Sequence, residues 1–342
     1  MMTPPPAPPS WFAATLAGLA ERRDLSVAQM REVMRGILSG ACGEAELAAL
    51  LVALRMKGET AEEMAAAAAV MRDFMIPLDT GRDDVLDTCG TGGDGCGTFN
   101  ISTATALVAA GAGVPVVKHG NRAVSSSVGS ADVLTALGVE VGGDASACRR
   151  SLDRAGMAFC FAPNFHPGLK LVGNVRLRLG LRTIFNTLGP LANPARAPYQ
   201  LLGVGGPEWL DRLAEAVSRL GVRRALLVCG RDGLDEVTLS AATMVREVHG
   251  GRVTAHEWRP GDFGLLPCSL DQLKVTTAEE SAAVIRAVLA GKEGPALRVV
   301  LANVAAALLA AERVGSLTEG VARAAEAIRS GAAARVLELL IA

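Results

Sequence analysis

The spacing of apolar residues changes character part-way along the chain. Over residues 11–77 the apolar positions recur at the period of a helix with one buried face. Two runs in this region open with a capping-box pattern, in which Ser26 pairs with Gln29 and Thr60 pairs with Glu63. These features predict a small N-terminal domain over residues 11–77 that is entirely helical.

From residue 85 onward, short apolar runs alternate with longer runs of helical spacing. The strand-like runs are Val85–Leu86, Val114–Val117, Met157–Phe161, Leu201–Val204 and Ala225–Cys229. Such alternation predicts parallel strands joined by crossover helices. We therefore expect an α/β fold, in which residues 85–342 form a larger domain with a mostly parallel central sheet flanked by helices. A basic, helix-prone insertion at about residues 168–190 is expected to join the helical domain, and the chain is expected to be mostly helical from residue 278 to residue 340.

Composition limits the classes of function. The 342 residues are 50% hydrophobic and carry a formal net charge of −1. A charge so close to zero gives no general basis for binding nucleic acid or an anionic membrane, so phosphate binding would need a local arrangement. The runs Ile101–Val117 and Val299–Ala311 contain polar residues or fall short of the ~18 residues that span a bilayer. Both runs are therefore predicted to be buried core, and no membrane partner is expected.

The N-terminal residues and the cysteines indicate the cellular compartment of the protein. Residues 1–10 are proline-rich and lack the basic and apolar regions of a signal peptide, which predicts a disordered lead-in. The seven cysteines are scattered and form no Cys-x-x-Cys pair, so they indicate neither a zinc site nor a disulfide framework. We expect a cytoplasmic protein. Cys89 and Cys96 flank a glycine loop and could bond or act chemically, although ordinary free thiols are favoured.

The glycine loop follows the first strand-like run. It reads Asp87-Thr88-Cys89-Gly90-Thr91-Gly92-Gly93-Asp94, and a helix-prone run opens after it at Asn100-Ile101-Ser102-Thr103. Glycines let backbone N–H groups approach an anion, and a helix N-terminus adds partial positive charge, so the pattern suits a phosphate or pyrophosphate. The spacing matches neither a P-loop nor Gly-x-Gly-x-x-Gly, and a plain surface turn is the other interpretation. Asp94 suits an anion site if a cation bridges it to the ligand, which implies a metal.

A second loop with binding chemistry follows the run Val114–Val117. The segment Lys118-His119-Gly120-Asn121-Arg122-Ala123-Val124-Ser125-Ser126-Ser127 combines two cations with three hydroxyls. Loops at the ends of parallel strands are where ligands bind in such sheets, and these groups could hold several phosphate oxygens. The alternative is an ordinary solvated loop. Asp132, just beyond, could be a first-turn acid that favours the helix dipole.

Two further groups complete the candidate chemistry. Adjacent carboxylates at Asp235 and Glu236 follow the run Ala225–Cys229 and suit Mg²⁺, which prefers oxygen ligands and often shares them with substrate phosphates. Taken alone, they could form a solvated acidic turn. Arg176, with Arg182, could hold a carboxylate in bidentate fashion, or it could form an ordinary ion pair.

In chain order, these blocks resemble the anthranilate phosphoribosyltransferases of tryptophan biosynthesis. The resemblance covers nearly the whole chain after the proline-rich start. It is carried by Gly90–Asp94, Asn100–Thr103, Lys118–Ser126, Gly129–Asp132, Arg182–Leu191, Gly233–Val237 and Asp262–Leu265. It implies a homodimer of two-domain subunits. It also implies transfer of the phosphoribosyl group of 5-phosphoribosyl-1-pyrophosphate (PRPP) to the amine of anthranilate, with Mg²⁺ as cofactor and pyrophosphate as the leaving group.

The resemblance also assigns roles by matching position. Residues expected to hold PRPP are Gly90, Gly93, Asp94, Thr98, Asn100, Ile101, Ser102, Thr103, Lys118, His119, Gly120, Asn121, Arg122, Ala123, Val124, Ser125, Ser126 and Ser130. Ser102, Asp235 and Glu236 are expected to hold the metal. Gly90, Asn121 and Arg176 are expected to face anthranilate, with Arg176 taking its carboxylate. No residue is expected to act as a discrete acid or base, because a neutral aniline nitrogen is already a nucleophile.

Several positions depart from the usual family pattern. Lys-Ser is usual where Ser127-Val128 stands, and Ala-Met is usual where Gly168-Leu169 follows His166-Pro167. Asn174, Leu177 and Arg178 replace a proline, a cation and an acid around Arg176. Because most of these changes lie on the acceptor side, transfer to another aromatic amine is an alternative.

Two other functions stay open on the sequence. One is a nucleoside phosphorylase of the same structural class, against which Lys118-His119-Gly120-Asn121 argues. The other is a paralogue that binds nucleic acid without catalysis, against which the near-zero charge and the Asp235-Glu236 pair argue.

Overall fold

The N-terminal region forms a bundle of helices. In the computed structural model, which describes residues 8–122 and 128–342, its helices are α1 (Phe12–Ala20), α2 (Val27–Leu38), α3 (Glu44–Lys57) and α4 (Ala61–Phe74). Both predicted capping boxes are confirmed at the starts of α2 and α4. The Glu63 carboxylate, which is fully buried, also accepts hydrogen bonds from the Leu25 N–H and from Lys57 Nζ, both at 2.8 Å. The capping residue of α4 therefore also ties the bundle together.

A twisted sheet forms the centre of the larger region. Its strands are β1 (Leu86–Asp87), β2 (Val116–Gly120), β3 (Met157–Phe161), β4 (Tyr199–Gly203), β5 (Arg224–Gly230), β6 (Thr243–His249) and β7 (Arg252–Trp258). Their order in the sheet is β3-β2-β1-β4-β5-β6-β7, and the first five positions are parallel. The expectation of a mostly parallel sheet is confirmed, and every strand-like run contributes to a strand.

The antiparallel edge formed by β6 and β7 was not predicted from the sequence. These strands form a hairpin on β5, and Gly250 and Gly251 connect them with φ of +55° and +79°. Glycines favour such a turn because they adopt positive φ without steric cost. A Gly-Gly pair between two runs of β-branched residues was the signal in the sequence.

Helices cover both faces of the sheet. Those after β1 are α5 (Ile101–Gly111), α6 (Ser130–Leu137), α7 (Ala145–Ala155), α8 (Ala162–Phe165), α9 (Lys170–Leu179), α10 (Ile184–Leu188), α11 (Pro207–Arg219), α12 (Ala278–Leu289), α13 (Pro295–Ala310), α14 (Leu317–Arg329) and α15 (Ala332–Ile341). One apolar core packs α5, α6 and the four helices from α12 through α15 against one face of the sheet. A second core joins α11 on the other face to the N-terminal bundle.

The segment expected to join the bundle forms α9 and α10. Helix α9 packs against α3, and Val172 and Val175 lie in the same apolar cluster as the bundle. Arg72 on α4 adds a polar tie, since its Nε donates to the Leu191 carbonyl at 2.7 Å. The bundle and the sheet therefore share one continuous interior, and α9 reaches from the bundle toward the loops at the ends of the strands.

The runs expected to be core rather than membrane spans are buried helices and strands. Ile101–Gly111 forms α5 and most of Val299–Ala311 lies in α13, both within the larger apolar core. Across residues 8–122 and 128–342, the structure contains no helix that is both long and apolar enough to cross a membrane.

Candidate active site

The glycine loop after β1 lies against the end of the neighbouring strand β4. The Thr91 N–H donates to the Gly203 carbonyl at 2.8 Å, and the Gly205 N–H donates back to Thr91 Oγ1 at 2.9 Å. Gly203 is required here, because a Cβ on it would lie 1.7 Å from the Asp235 carbonyl oxygen. This close approach brings the loops that follow β1, β4 and β5 together at the carboxyl edge of the sheet, where ligands bind in such folds.

Three carboxylates meet at that edge. The Asp235 N–H donates to Asp94 Oδ2 at 3.3 Å, and the Asp94 carboxylate lies close enough to raise the pKa of the Asp235 side chain. Burial, followed by the charge of Asp94, raises the pKa of Asp235 well above its usual range. Burial, followed by the charge of Asp235, likewise raises the pKa of Glu236. Their charged forms are therefore unfavourable unless a cation joins them.

The first turn of α5 faces these carboxylates. The Ser102 backbone at the helix N-terminus lowers the pKa of Glu236 slightly against the larger effect of burial, so Glu236 lies close to the start of α5. The Asn100 side chain caps α5 by accepting from the Thr103 N–H at 3.2 Å. Ser102 Oγ donates to Asn100 Oδ1 at 3.4 Å and accepts from Lys118 Nζ at 3.0 Å, so this hydroxyl lies between the helix cap and the lysine.

Lys118 supplies a buried positive charge between the two loops. Its Nζ donates to Ser102 Oγ and to the Thr88 carbonyl, both at 3.0 Å, and the side chain is almost completely buried. Its charge acts on Glu236 and on Asp87, lowering the pKa of each against the larger effect of burial. Lys118 is thus held in a position where it balances part of the negative charge of the site.

A buried Asp87–Asn193 pair, which sequence reasoning missed, fixes the relative position of β1 and β2. Asn193 Nδ2 donates to Asp87 Oδ2 at 2.7 Å and to the Val117 carbonyl at 2.8 Å. The other oxygen of Asp87 accepts from the backbone N–H groups of Cys89 and His119. Burial raises the pKa of Asp87 to about 6. Nothing in the sequence around Asn193 indicated this long-range contact.

Two arginines lie on the side of the site that faces the helical bundle. Arg182 Nη1 donates to the Gly93 carbonyl at 2.7 Å, and its charge also acts on Asp235. Burial, followed by the charge of Arg182, lowers the pKa of Arg176. Arg176 Nε is buried and has no hydrogen-bond partner. An unsatisfied, desolvated guanidinium is a favourable partner for a planar carboxylate.

The other predicted donor-site residues lie around the same edge, with different groups available. Ile101 and Thr103 are buried, and the Thr103 hydroxyl bonds to Asn100. Arg122 pairs with Asp132 at 2.9 Å. A Cβ on Gly120 would lie 2.2 Å from Ser130 Oγ, so the loop and α6 pack closely there. Thr98 forms a bridge with Lys274, and Asn121 is exposed. Ala123, Val124, Ser125 and Ser126 lie outside the described residues.

The donor set fits Mg²⁺ shared with a substrate. No group of three or more histidine, cysteine or acidic residues is arranged to enclose a metal in the described parts of the chain. Mg²⁺ is usually bound by one or two carboxylates together with water and substrate phosphates, rather than by a complete protein cage. Asp235 and Glu236, whose charges need a cation, together with the Ser102 hydroxyl, supply such a partial set.

Comparisons with known proteins identify the family of the chain. Residues 14–75 match the glycosyl transferase family, helical bundle domain, and residues 82–334 match the glycosyl transferase family, a/b domain. Anthranilate phosphoribosyltransferase from Symbiobacterium thermophilum is 49% identical over 325 residues, which cover 95% of both chains. The same enzyme from Thermomicrobium roseum is 51% identical over 320 residues, which cover 92% of both chains. The chain belongs to the anthranilate phosphoribosyltransferase family.

Solved structures of anthranilate phosphoribosyltransferases share the fold. The enzyme from Thermus thermophilus superimposes with a TM-score of 0.89 at 44% identity, covering 96% of this chain and 99% of the other. The Saccharomyces cerevisiae enzyme in complex with PRPP and Mg superimposes with a TM-score of 0.87 at 30% identity, covering 96% and 97%. The predicted fold class of a helical domain plus a larger α/β domain is confirmed.

The structure accounts for some departures from the anthranilate phosphoribosyltransferase pattern. A Cβ at Gly168 would lie 2.7 Å from the Leu38 carbonyl oxygen, so glycine fits the close packing against α2. On α9, Asn174 and Leu177 are exposed, and Arg178 forms an exposed ion pair with Glu44. The altered neighbours of Arg176 thus lie on the outer side of the helix, whereas most of Arg176 is enclosed.

Two buried histidines pack side by side near the site. The ring centroids of His119 and His166 are 5.1 Å apart. His119 Nδ1 lies 3.2 Å from the Gly189 carbonyl, and His166 Nε2 lies 3.1 Å from the Ala192 carbonyl. Burial lowers the pKa of His119 to about 3 and that of His166 to about 4. Both rings are neutral near pH 7, and each donates one N–H to a carbonyl.

We expect His166→Gln, which keeps an N–H donor, to make the free energy of unfolding fall less steeply as the pH drops below neutral. Unfolded His166 titrates near pH 6.5 and the folded residue near 4, so its contribution is complete above 6.5 and is lost as the pH falls toward 4. In that window the free energy of unfolding of the native sequence should fall relative to the variant by up to about 1.4 kcal/mol per pH unit. Urea unfolding at a series of pH values measures this difference, and parallel curves would contradict it.

Proposed function

We propose that this chain transfers the phosphoribosyl group of PRPP to the amine of anthranilate, giving N-(5-phosphoribosyl)anthranilate and pyrophosphate. One observation carries the proposal: the Asp235–Glu236 pair faces the first turn of α5, Lys118 and the glycine loop at one edge of the sheet. This arrangement combines a metal-binding acidic pair with donors for phosphate oxygens. It suits a substrate that arrives as a metal pyrophosphate.

On the donor side, the chain binds and orients PRPP. The backbone of Gly90 and Gly93, the α5 N-terminus with Asn100 and Ser102, and Lys118 offer hydrogen-bond donors or charge to phosphate oxygens. Lys118, His119, Gly120, Asn121, Arg122 and Ser130 form the opposite wall in this proposal, and donor binding by residues 123–126 stays a prediction from the sequence. Such fixed donors stabilise the charge that develops on the departing pyrophosphate.

Ser102, Asp235 and Glu236 would hold Mg²⁺, and Asp94 lies beside them. When bound, Mg²⁺ supplies positive charge that neutralises the pyrophosphate oxygens. The carboxylates in turn would fix the position of the metal ion. The raised pKa values of Asp235 and Glu236, caused first by burial, are consistent with this role, because a nearby cation would favour the charged form of each carboxyl group.

On the acceptor side, Arg176 binds the carboxylate of anthranilate, and Gly90 and Asn121 face the ring. The enclosed guanidinium with its unpaired Nε supports this assignment. The neutral amine attacks C1 of the ribose as pyrophosphate leaves, so the chain mainly has to align the two substrates. No side chain needs to act as a strong base in this step.

We further propose that the chain is a cytoplasmic homodimer. Met56 on α3 and Leu177 on α9 each expose 71% of their surface, and these two helices pack against each other. Two large apolar side chains on adjoining helices support contact with a second copy through the bundle. Light scattering coupled to gel filtration measures the mass directly.

The assay for the proposed function is the loss of anthranilate fluorescence in the presence of protein, PRPP and Mg²⁺. We expect turnover that stops when either PRPP or Mg²⁺ is omitted. A lack of turnover with anthranilate, while another aromatic amine is consumed, would move the proposal to that acceptor. Phosphate- or arsenate-dependent cleavage of a pyrimidine nucleoside, without anthranilate turnover, would instead show a nucleoside phosphorylase. A salt-sensitive shift with an oligonucleotide, and no turnover, would support a nucleic-acid-binding protein.

We expect Arg176→Ala to raise the KM for anthranilate with little change in the KM for PRPP. The lost charged hydrogen bond should cost about 2–3 kcal/mol of acceptor binding. Arg178→Ala is the matched control, since that arginine lies on the same helix but points to solvent and pairs with Glu44. An unchanged KM for anthranilate in Arg176→Ala, or an equal rise in the control, would contradict the assignment.

A further inference from the structure

Helix α13 carries a buried asparagine in an otherwise apolar stretch. Asn303 is completely buried, and its neighbours along the helix from Val299 to Ala310 are apolar. Asparagine is a poor residue for a helix interior, and burying its amide is costly unless every polar atom is satisfied. An apolar residue of similar size would suit the packing at this position, so the amide calls for another explanation.

The amide of Asn303 binds the backbone of a single residue, Val237, in the loop that carries Asp235 and Glu236. Its Oδ1 accepts from the Val237 N–H at 2.9 Å, and its Nδ2 donates to the Val237 carbonyl, also at 2.9 Å. A third bond, from Nδ2 to the Val299 carbonyl at 2.9 Å, holds the amide against its own helix. The side chain is therefore satisfied, and two of its bonds fix one point of another loop.

Val237 directly follows the proposed metal-binding pair, Asp235 and Glu236, in the chain. The Val237 N–H belongs to the peptide unit that begins at the Glu236 carbonyl, so fixing this N–H fixes the plane of the peptide that follows Glu236. The direction in which the Glu236 side chain leaves the backbone depends on that plane. Helix α13, packed in the centre of the larger apolar core, is a rigid support for such a constraint.

Asp232 braces the same loop from the other side. Its Oδ2 accepts from Thr238 Oγ1 at 2.6 Å and from Ser240 Oγ at 2.7 Å, and its Oδ1 accepts from the Leu234 N–H at 3.3 Å. These bonds close the loop around Asp235 and Glu236. With Asn303 and Asp232 both bonded to the loop, the carboxylates have few ways to turn without breaking one of these hydrogen bonds.

We infer that Asn303 is a positioning residue for the metal site: by holding both backbone groups of Val237, it sets the direction of the Glu236 carboxylate toward the metal and the donor pyrophosphate. The role of the site rests on the proposed function, whereas the loop constraint does not. Residues that orient metal ligands typically change metal affinity on the order of 10–100-fold when they are replaced. The consequence therefore falls on Mg²⁺ and the donor, and not on the acceptor.

The test compares Asn303→Leu, which removes both loop contacts at similar side-chain size, with Leu308→Ala on the same helix. Leu308 is fully buried and has no hydrogen bond to the loop, so its truncation lowers stability without acting on Val237. Each folded variant is titrated with PRPP by calorimetry at several Mg²⁺ concentrations. We expect Asn303→Leu to raise the half-saturating Mg²⁺ concentration on the order of tenfold. Leu308→Ala should lower the melting temperature and leave that concentration unchanged.

Hydrogen exchange gives a readout that does not depend on the proposed function. The Val237 amide should exchange slowly in the native protein and faster in Asn303→Leu, with no such change in Leu308→Ala. If Asn303→Leu does not fold, Asn303→Ala, which also removes both contacts with Val237, is measured in its place. Unchanged exchange at Val237 and an unchanged Mg²⁺ requirement in the folded variant would overturn the inference. Native protein that binds no PRPP would instead refute the proposed function.

Discussion

The charge of two adjacent acidic residues is the constraint on which the rest of the site depends. Asp235 and Glu236 lie beside Asp94 where the ends of β1, β4 and β5 come together, and burial disfavours the charged form of both. The first turn of α5 and the charge of Lys118 lower the pKa of Glu236, but they do not offset the effect of burial, so its pKa stays raised. The remaining imbalance is what makes this edge of the sheet suited to a divalent cation carried with a pyrophosphate.

The fold holds the loops at this edge of the sheet in fixed positions and leaves the edge accessible to ligands. The parallel strands and the helices packed on them hold the donor loops, through Asp87 and Asn193 on one side and Asn303 on the other. The proposed acceptor side is built from a different part of the chain, because Arg176 lies on α9, which packs with the N-terminal bundle. The two substrates are thus expected to meet between a sheet edge and a helical bundle that share one apolar interior.

Local signals in the sequence predicted much of this, and long-range contacts were the part that they missed. The capping boxes at Ser26 and Thr60, strand β3 and the start of α5 depend on neighbouring residues, so pattern alone located them. The β6–β7 hairpin was missed although Gly250 and Gly251 marked its turn. Asn193 and Asn303 act on residues distant in sequence, through contacts that only the folded chain creates. The roles assigned by resemblance to individual site residues stay predictions.

Calorimetric titration of PRPP, with and without Mg²⁺, tests the central claim most directly. It compares the native protein with the double variant Asp235→Asn, Glu236→Gln, which keeps side-chain size and removes the charge. If the acidic pair exists to hold a cation against the pyrophosphate, Mg²⁺ strengthens PRPP binding in the native protein and has little effect in the variant. Without Mg²⁺, the variant binds PRPP at least as well as the native protein, because a repulsion has been removed. An equal gain from Mg²⁺ in both proteins would contradict the account.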